Sequence, residues 1–164
     1  MATTGWLDGR ESRAWRSFLQ MQTELRGRLG RQLQRDDGLS EADYAVLVNL
    51  TESPGGRLRP FELGRATQWE KSRLSHHLTR MADRGLVVRE ACPTDSRGAV
   101  IVVTDAGRAA IAAAAPRHVD HVRRWFIDVL TPEQLAALAD ISETVLDHLA
   151  AEPDGDGGCI GADS

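Results

Sequence analysis

The sequence predicts a mainly α-helical protein with a small β element, an α+β arrangement in which one short hairpin sits among helices. Three observations predict it. Apolar residues recur at helical spacing through most of the chain. Only two short runs, 86–90 and 99–103, carry the Val- and Ile-rich composition of strands. From Pro60 to Gly107 the order is short helix, tight turn, second helix with an apolar seam, glycine stop, strand, charged loop, strand, capped helix. That order is a winged helix-turn-helix, a frame that holds one helix outward at a width the DNA major groove accepts.

The elements follow in turn. Residues 11–35 read as a long helix, with Trp15, Phe18, Leu19, Leu25, Leu29 and Leu33 on helical spacing. Asp36-Asp37-Gly38 breaks it. Ser40, three residues before Asp43, opens the next helix as a capping box, and Ser53-Pro54-Gly55-Gly56 closes it. Residues 57–59 form a short extended piece leading to Pro60, which suits a first helical turn because its missing amide hydrogen costs nothing there. A helix runs to Ala66. Thr67, three residues before Glu70, suggests another capping box for a helix reaching about Arg84, where Gly85 supplies a left-handed stop. The polar stretch 92–98 is expected as a loop between the strands. Thr104 caps a helix expected to continue to Leu130, kinked where Pro116 removes an amide hydrogen bond. Thr131-Pro132 starts a last helix with Leu135, Leu138, Ile141, Val145 and Leu149 on one face. The expected organisation is a helical dimerisation region from 1–38 and 104–151, a winged helix-turn-helix from 39–103, and a disordered acidic tail over 152–164.

Viewed at about 100° per residue, the 70–84 helix turns Leu74, Leu78 and Met81 inward. Its other side presents Ser72, His76, Thr79 and Asp83, flanked by Arg73 and Arg80, with Lys71 and Ser75 beside them. Hydroxyl, imidazole and cationic groups are the types that bond base edges and phosphates. A solvated polar face would show the same residues; the preceding helix, the glycine stop and the following hairpin favour a reading helix. Asp95-Ser96-Arg97-Gly98 adds an arginine at a hairpin tip, suited to a narrow minor groove, with Asp95 placed to hold it.

Charge supports the same region. The chain carries a net −4, yet residues 57–97 hold nine basic and five acidic side chains, a local +4. Local field rather than total charge attracts a polyanion. No apolar run approaches the roughly 18 residues of a membrane span. The first ten residues lack a basic start and apolar core, so a cytoplasmic protein is expected. Cys92 and Cys159 form no metal or disulfide pattern. His118 and His121 lie three apart on a helix, and Asp120 and His148 could be recruited as further ligands, but no nearby Cys completes a set, and solvated or interface histidines suit them better than a metal site. No cofactor is expected. There is no convincing Ser-His-Asp order, phosphate-binding glycine loop or metal set, so an enzyme is not expected either.

Four motifs together resemble the MarR family of bacterial transcriptional regulators: Leu39-Ser40-Glu41-Ala42-Asp43-Tyr44-Ala45-Val46-Leu47, Asp83-Arg84-Gly85-Leu86-Val87, Asp95-Ser96-Arg97-Gly98, and Val103-Thr104-Asp105-Ala106-Gly107. The resemblance spans 11–151. It implies a homodimer whose first and last two helices interlock. It also implies a pseudo-palindromic double-stranded DNA operator, usually bound to repress nearby genes. In many relatives a small aromatic or anionic effector sits between the dimerisation and DNA-binding lobes. Carried over by position, Arg97 is the minor-groove arginine, Asp95 its partner, and 72–80 the recognition surface. The aromatic residues Trp15, Phe18 and Tyr44 are the candidates for an effector pocket, although they equally suit core. The competing reading is a winged helix used only for protein–protein assembly, without sequence-specific DNA binding.

Overall fold

A computed structural model describes residues 6–92 and 95–152, with side chains described for 6–91 and 99–152. The chain divides into two compact units, Met1–Val122 and Arg123–Ser164.

The first unit begins with α1 (Gly9–Asp37). Asp8 caps it by accepting from the amides of Arg10 and Glu11, while the Glu11 carboxylate returns a bond to the Asp8 amide. This box starts the helix at Gly9, two residues before the start expected at residue 11. Gly38, at φ +64, ends it in the left-handed region that glycine enters without steric cost. α2 (Glu41–Glu52) opens with the expected box: Ser40 Oγ accepts from the Asp43 amide at 3.0 Å, and Asp43 Oδ2 from the Ser40 amide at 2.9 Å. A 3-10 turn, Pro54–Gly56, leads into β1 (Arg57–Leu58), then α3 (Pro60–Thr67) and α4 (Lys71–Asp83). β2 (Val87–Cys92) and β3 (Asp95–Val103) form an antiparallel hairpin, and β1 adds to the other side of β3, giving the order β1-β3-β2. Leu58 pairs with Ile101 and Val88 with Val102. α5 (Asp105–Trp125) follows.

The hairpin reaches further than its Val- and Ile-rich runs. Asp95 to Gly98, expected in a loop, belong to β3, and the register shifts between Ala91 and Cys92. Backbone amides and carbonyls make a ladder, so polar composition does not end it. The side chains of Asp95 and Arg97, and hence the expected pairing between them, lie outside the described residues, as do Pro153–Ser164 and the expected acidic tail.

One apolar core joins these elements. Leu33 from α1, Val46, Leu47 and Leu50 from α2, Leu63 from α3, and Leu74, Leu78 and Met81 from α4 meet Val87, Ile101 and Val103 of the sheet and Ile111 and Ala114 of α5. α5 is footed tightly on the sheet. Thr104 Oγ1 donates to Gly85 O at 2.6 Å and accepts from the Gly107 amide at 3.0 Å. A Cβ on Gly107 would stand 2.2 Å from Leu86 O.

The second unit holds a 3-10 turn, Ile127–Val129, and α6 (Pro132–Ala151). The helix expected to reach Leu130 ends at Trp125, because Phe126 leaves helical geometry at φ −136, ψ −59. A 3-10 turn spaces residues about three apart, so apolar periodicity passes through the break unchanged. Pro116 stays inside α5. Thr131 and Gln134 cap α6 as a box. None of its side chains is buried, and Ile141, Val145, Leu146 and Leu149 are exposed.

Candidate nucleic-acid interface

α3 and α4 are set by local chemistry. Pro60 occupies the first turn of α3, and Glu62 accepts from the Arg59 amide at 2.6 Å. Gln68 turns the chain at φ +57, and the Trp69 amide donates to Gly64 O at 3.1 Å. Thr67 does not cap α4 as the sequence suggested. It is the last residue of α3, and its hydroxyl donates back to Leu63 O at 2.7 Å. A threonine in a last helical turn has that carbonyl within reach, so it is already engaged. Glu70 takes the capping position without a side-chain bond.

Leu74, His77, Leu78 and Met81 are the buried residues of α4. The seam therefore lies where the spacing of Leu74, Leu78 and Met81 put it. Lys71, Ser72, Arg73, Ser75, His76, Thr79 and Arg80 are all exposed. The face thus offers three cations, an imidazole and three hydroxyls, with Thr79 Oγ1 donating within the helix to Ser75 O at 3.0 Å. Asp83 is exposed as well, and the adjoining Arg84 pairs with Asp43.

Several of these groups are braced. The Arg73 guanidinium lies 4.6 Å from the Trp69 ring centroid, a cation–π contact. Trp69 in turn stands perpendicular to His77 at 5.4 Å. Arg89, from β2, donates to the carbonyl and hydroxyl oxygens of Ser75 at 3.3 and 3.4 Å. Pro60, Phe61, Leu74 and Leu78, with Arg65, Lys71 and Arg89, line a cleft of about 710 Å³ that also touches Ser75 and Trp69.

Beneath the face lies a polar cluster that residue spacing does not reveal. Asp43 is buried, and its Oδ2 accepts from Arg84 Nη1 at 2.7 Å as well as from the Ser40 amide. Arg84 Nη2 also donates to Gly38 O at 2.8 Å. His77 Nε2 stands 3.1 Å from Asp43 Oδ1, close enough for attraction but not aligned as a directed hydrogen bond. Burial raises the Asp43 pKa, yet the bonds from Arg84 and Ser40 outweigh it and hold the carboxyl below its usual range. For His77, burial dominates the attraction of Asp43 and keeps the imidazole below its usual range.

The remaining candidates lie elsewhere. Trp15 and Phe18 are exposed and stack on each other at 6.1 Å. Tyr44 is half-buried against His118 of α5, with ring centroids 4.5 Å apart. Burial, and secondarily Glu52, raises the Tyr44 pKa, and burial followed by His121 lowers that of His118. No group of three or more His, Cys, Asp or Glu side chains converges on a metal-sized site among the described residues. Among them, too, no helix is long and apolar enough to cross a membrane.

The geometry has close counterparts. A model of the MarR family matches residues 37–98. The transcriptional regulator HosA of Escherichia coli O111:H- is 34% identical over 96 residues, covering 58% of this chain and 69% of that protein. AbsC, a MarR family transcriptional regulator from Streptomyces coelicolor, superimposes with a TM-score of 0.85 at 44% identity, over 91% of this chain and 100% of its own. Sco3205, a MarR family regulator of the same organism solved in complex with DNA, gives a TM-score of 0.85 at 42% identity, over 94% and 96% of the two chains. This chain belongs to the MarR family, a family of transcriptional regulators rather than enzymes.

Proposed function

We propose that this member of the MarR family binds a pseudo-palindromic operator as a homodimer, represses the adjoining genes, and is released by a small aromatic or anionic effector. The observation that carries the DNA reading is the exposed face of α4. Lys71, Ser72, Arg73, Ser75, His76, Thr79 and Arg80 stand together on a helix whose other side is fixed in the core. In this reading the arginines and Lys71 neutralise phosphates, Arg73, Ser72 and His76 reach base edges, and Arg97, held by Asp95, enters the minor groove. The DNA complex of Sco3205, at 42% identity, supports the same reading.

Dimerisation is assigned to residues 1–38 and 104–151, and DNA reading to 39–103. Exposed Trp15, Phe18 and Leu19 on α1, and Ile141, Val145, Leu146 and Leu149 on α6, support it. Each such side chain, fully covered, contributes roughly 1.5–3 kcal/mol. A twofold pair also sets two reading helices one DNA turn, about 34 Å, apart.

For the effector, the cleft beside α4 is better suited than Trp15, Phe18 or Tyr44. Its apolar walls fit an aromatic ring and its three cations fit a carboxylate. A ligand there touches Lys71 and Ser75, which the operator also needs, so the two compete.

The test is a gel-shift titration of the full chain against duplexes selected from a random pool, at several salt concentrations. Salt-dependent, sequence-selective binding that small aromatic carboxylates reverse is the expected result. Binding indifferent to sequence and salt would leave only an assembly module.

A further inference from the structure

His77 is buried directly under the reading face. It is 6% exposed and sits one turn before Arg80. Its Nδ1 lies 3.0 Å from Arg80 Nη2. A guanidinium has donors only and keeps its charge, so Nδ1 must be the acceptor. The ring proton then sits on Nε2, towards the Asp43 carboxylate 3.1 Å away. Asp43 is itself held by Ser40 and Arg84, and Trp69 stands perpendicular to the imidazole at 5.4 Å. The ring therefore sits between the indole and the carboxylate, without a directed hydrogen bond to the latter, and presents its lone pair to Arg80. Arg80 itself remains exposed.

We infer that His77 is a positioning residue for operator recognition, which acts by holding Arg80 in the conformation that meets DNA. The inference rests on the reading of α4 as the DNA-facing helix. A free arginine loses rotamer freedom when it binds, and a side chain ordered beforehand loses less. On that basis, removing the acceptor weakens operator binding by roughly fivefold to tenfold.

The experiment measures operator affinity by fluorescence anisotropy on the full chain, at fixed salt and pH 7.5, with folding checked by circular dichroism. The variants are His77→Phe, His77→Asn, His77→Gln, Arg80→Ala and the His77→Phe/Arg80→Ala pair. Asparagine places an oxygen near the Nδ1 position and glutamine near Nε2. His77→Phe should weaken binding in the native background and have little effect once Arg80 is alanine. His77→Asn should restore affinity that His77→Gln does not. An equal loss from His77→Phe in both backgrounds would overturn the inference, because the effect would not pass through Arg80. If His77→Phe does not fold, the asparagine–glutamine pair decides, and equal affinities overturn the inference. Arg80→Ala binding as tightly as the native chain also overturns it while leaving DNA binding intact. Native protein that binds no duplex would instead defeat the reading of α4 itself.

Discussion

α4 and α6 each carry an apolar stripe and dispose of it differently. α4 sinks Leu74, Leu78 and Met81 into the core and turns cations outward. α6 repeats Ile141, Val145 and Leu149 on one face and buries none of them. An amphipathic helix whose apolar face finds its own chain is finished; one that leaves the face exposed needs another surface. The first therefore reads as a rigid instrument and the second as a contact surface.

The largest expected effect tests the finished helix. Leu78 is 1% exposed, so Leu78→Ala should cost about 2–5 kcal/mol in a urea titration. A change well under 1 kcal/mol would mean that α4 is not seated as described. The unfinished helix is tested next. Leu146→Asp, at a position 63% exposed, should convert a two-copy sedimentation mass into a one-copy mass at micromolar concentration, with a loss of about 3 kcal/mol for the two symmetric copies. Unaltered mass would remove α6 from the interface. On the outward face of α4, Arg73→Ala should weaken operator binding by roughly 1–3 kcal/mol and relax base preference. Lys71→Ala should act more weakly and uniformly, lowering the salt slope by about 1.

The smallest effect concerns pH and the cluster under α4. His77 and His118 are held below the ordinary imidazole range, so the unfolded chain takes up their protons first. Their contribution to stability is present above about pH 6.5 and is lost as pH falls below it. Asp43 is held below the ordinary carboxylate range, and its contribution is lost only at lower pH, as acid overtakes its depressed pKa. Urea midpoints should therefore fall between pH 7.5 and 5.5 and fall again below about pH 3.8. A flat profile across the first interval would contradict the burial assigned to the two histidines.

Much of this fold was legible in the chain because the decisive signals are local. Ser40 with Asp43, Thr131 with Gln134, and Gly85 act within a single turn. The seam of α4 follows from helical period alone. Thr67 misled because the residue expected to cap α4 is the last of α3, where its hydroxyl donates back to Leu63 O. The reach of the hairpin was hidden because its pairing uses backbone atoms. His77 shares the angular sector of Leu74 and Leu78, so its burial was encoded in the period but obscured by its polarity. The tie from Asp43 to Arg84 spans 41 residues, and no local pattern announces it.

The footing of α5 has a mechanical consequence. Thr104 is bonded across to Gly85, and Gly107 packs so closely on Leu86 that not even a methyl group fits between them. That joint is a weld and cannot serve as a hinge. Bending along α5 within the first unit has to be taken up further on, and Pro116, which donates no amide to the preceding turn, is the weakest rung there. The stretch of α5 before Pro116 is thus tied through Thr104 to Gly85, at the exit of α4.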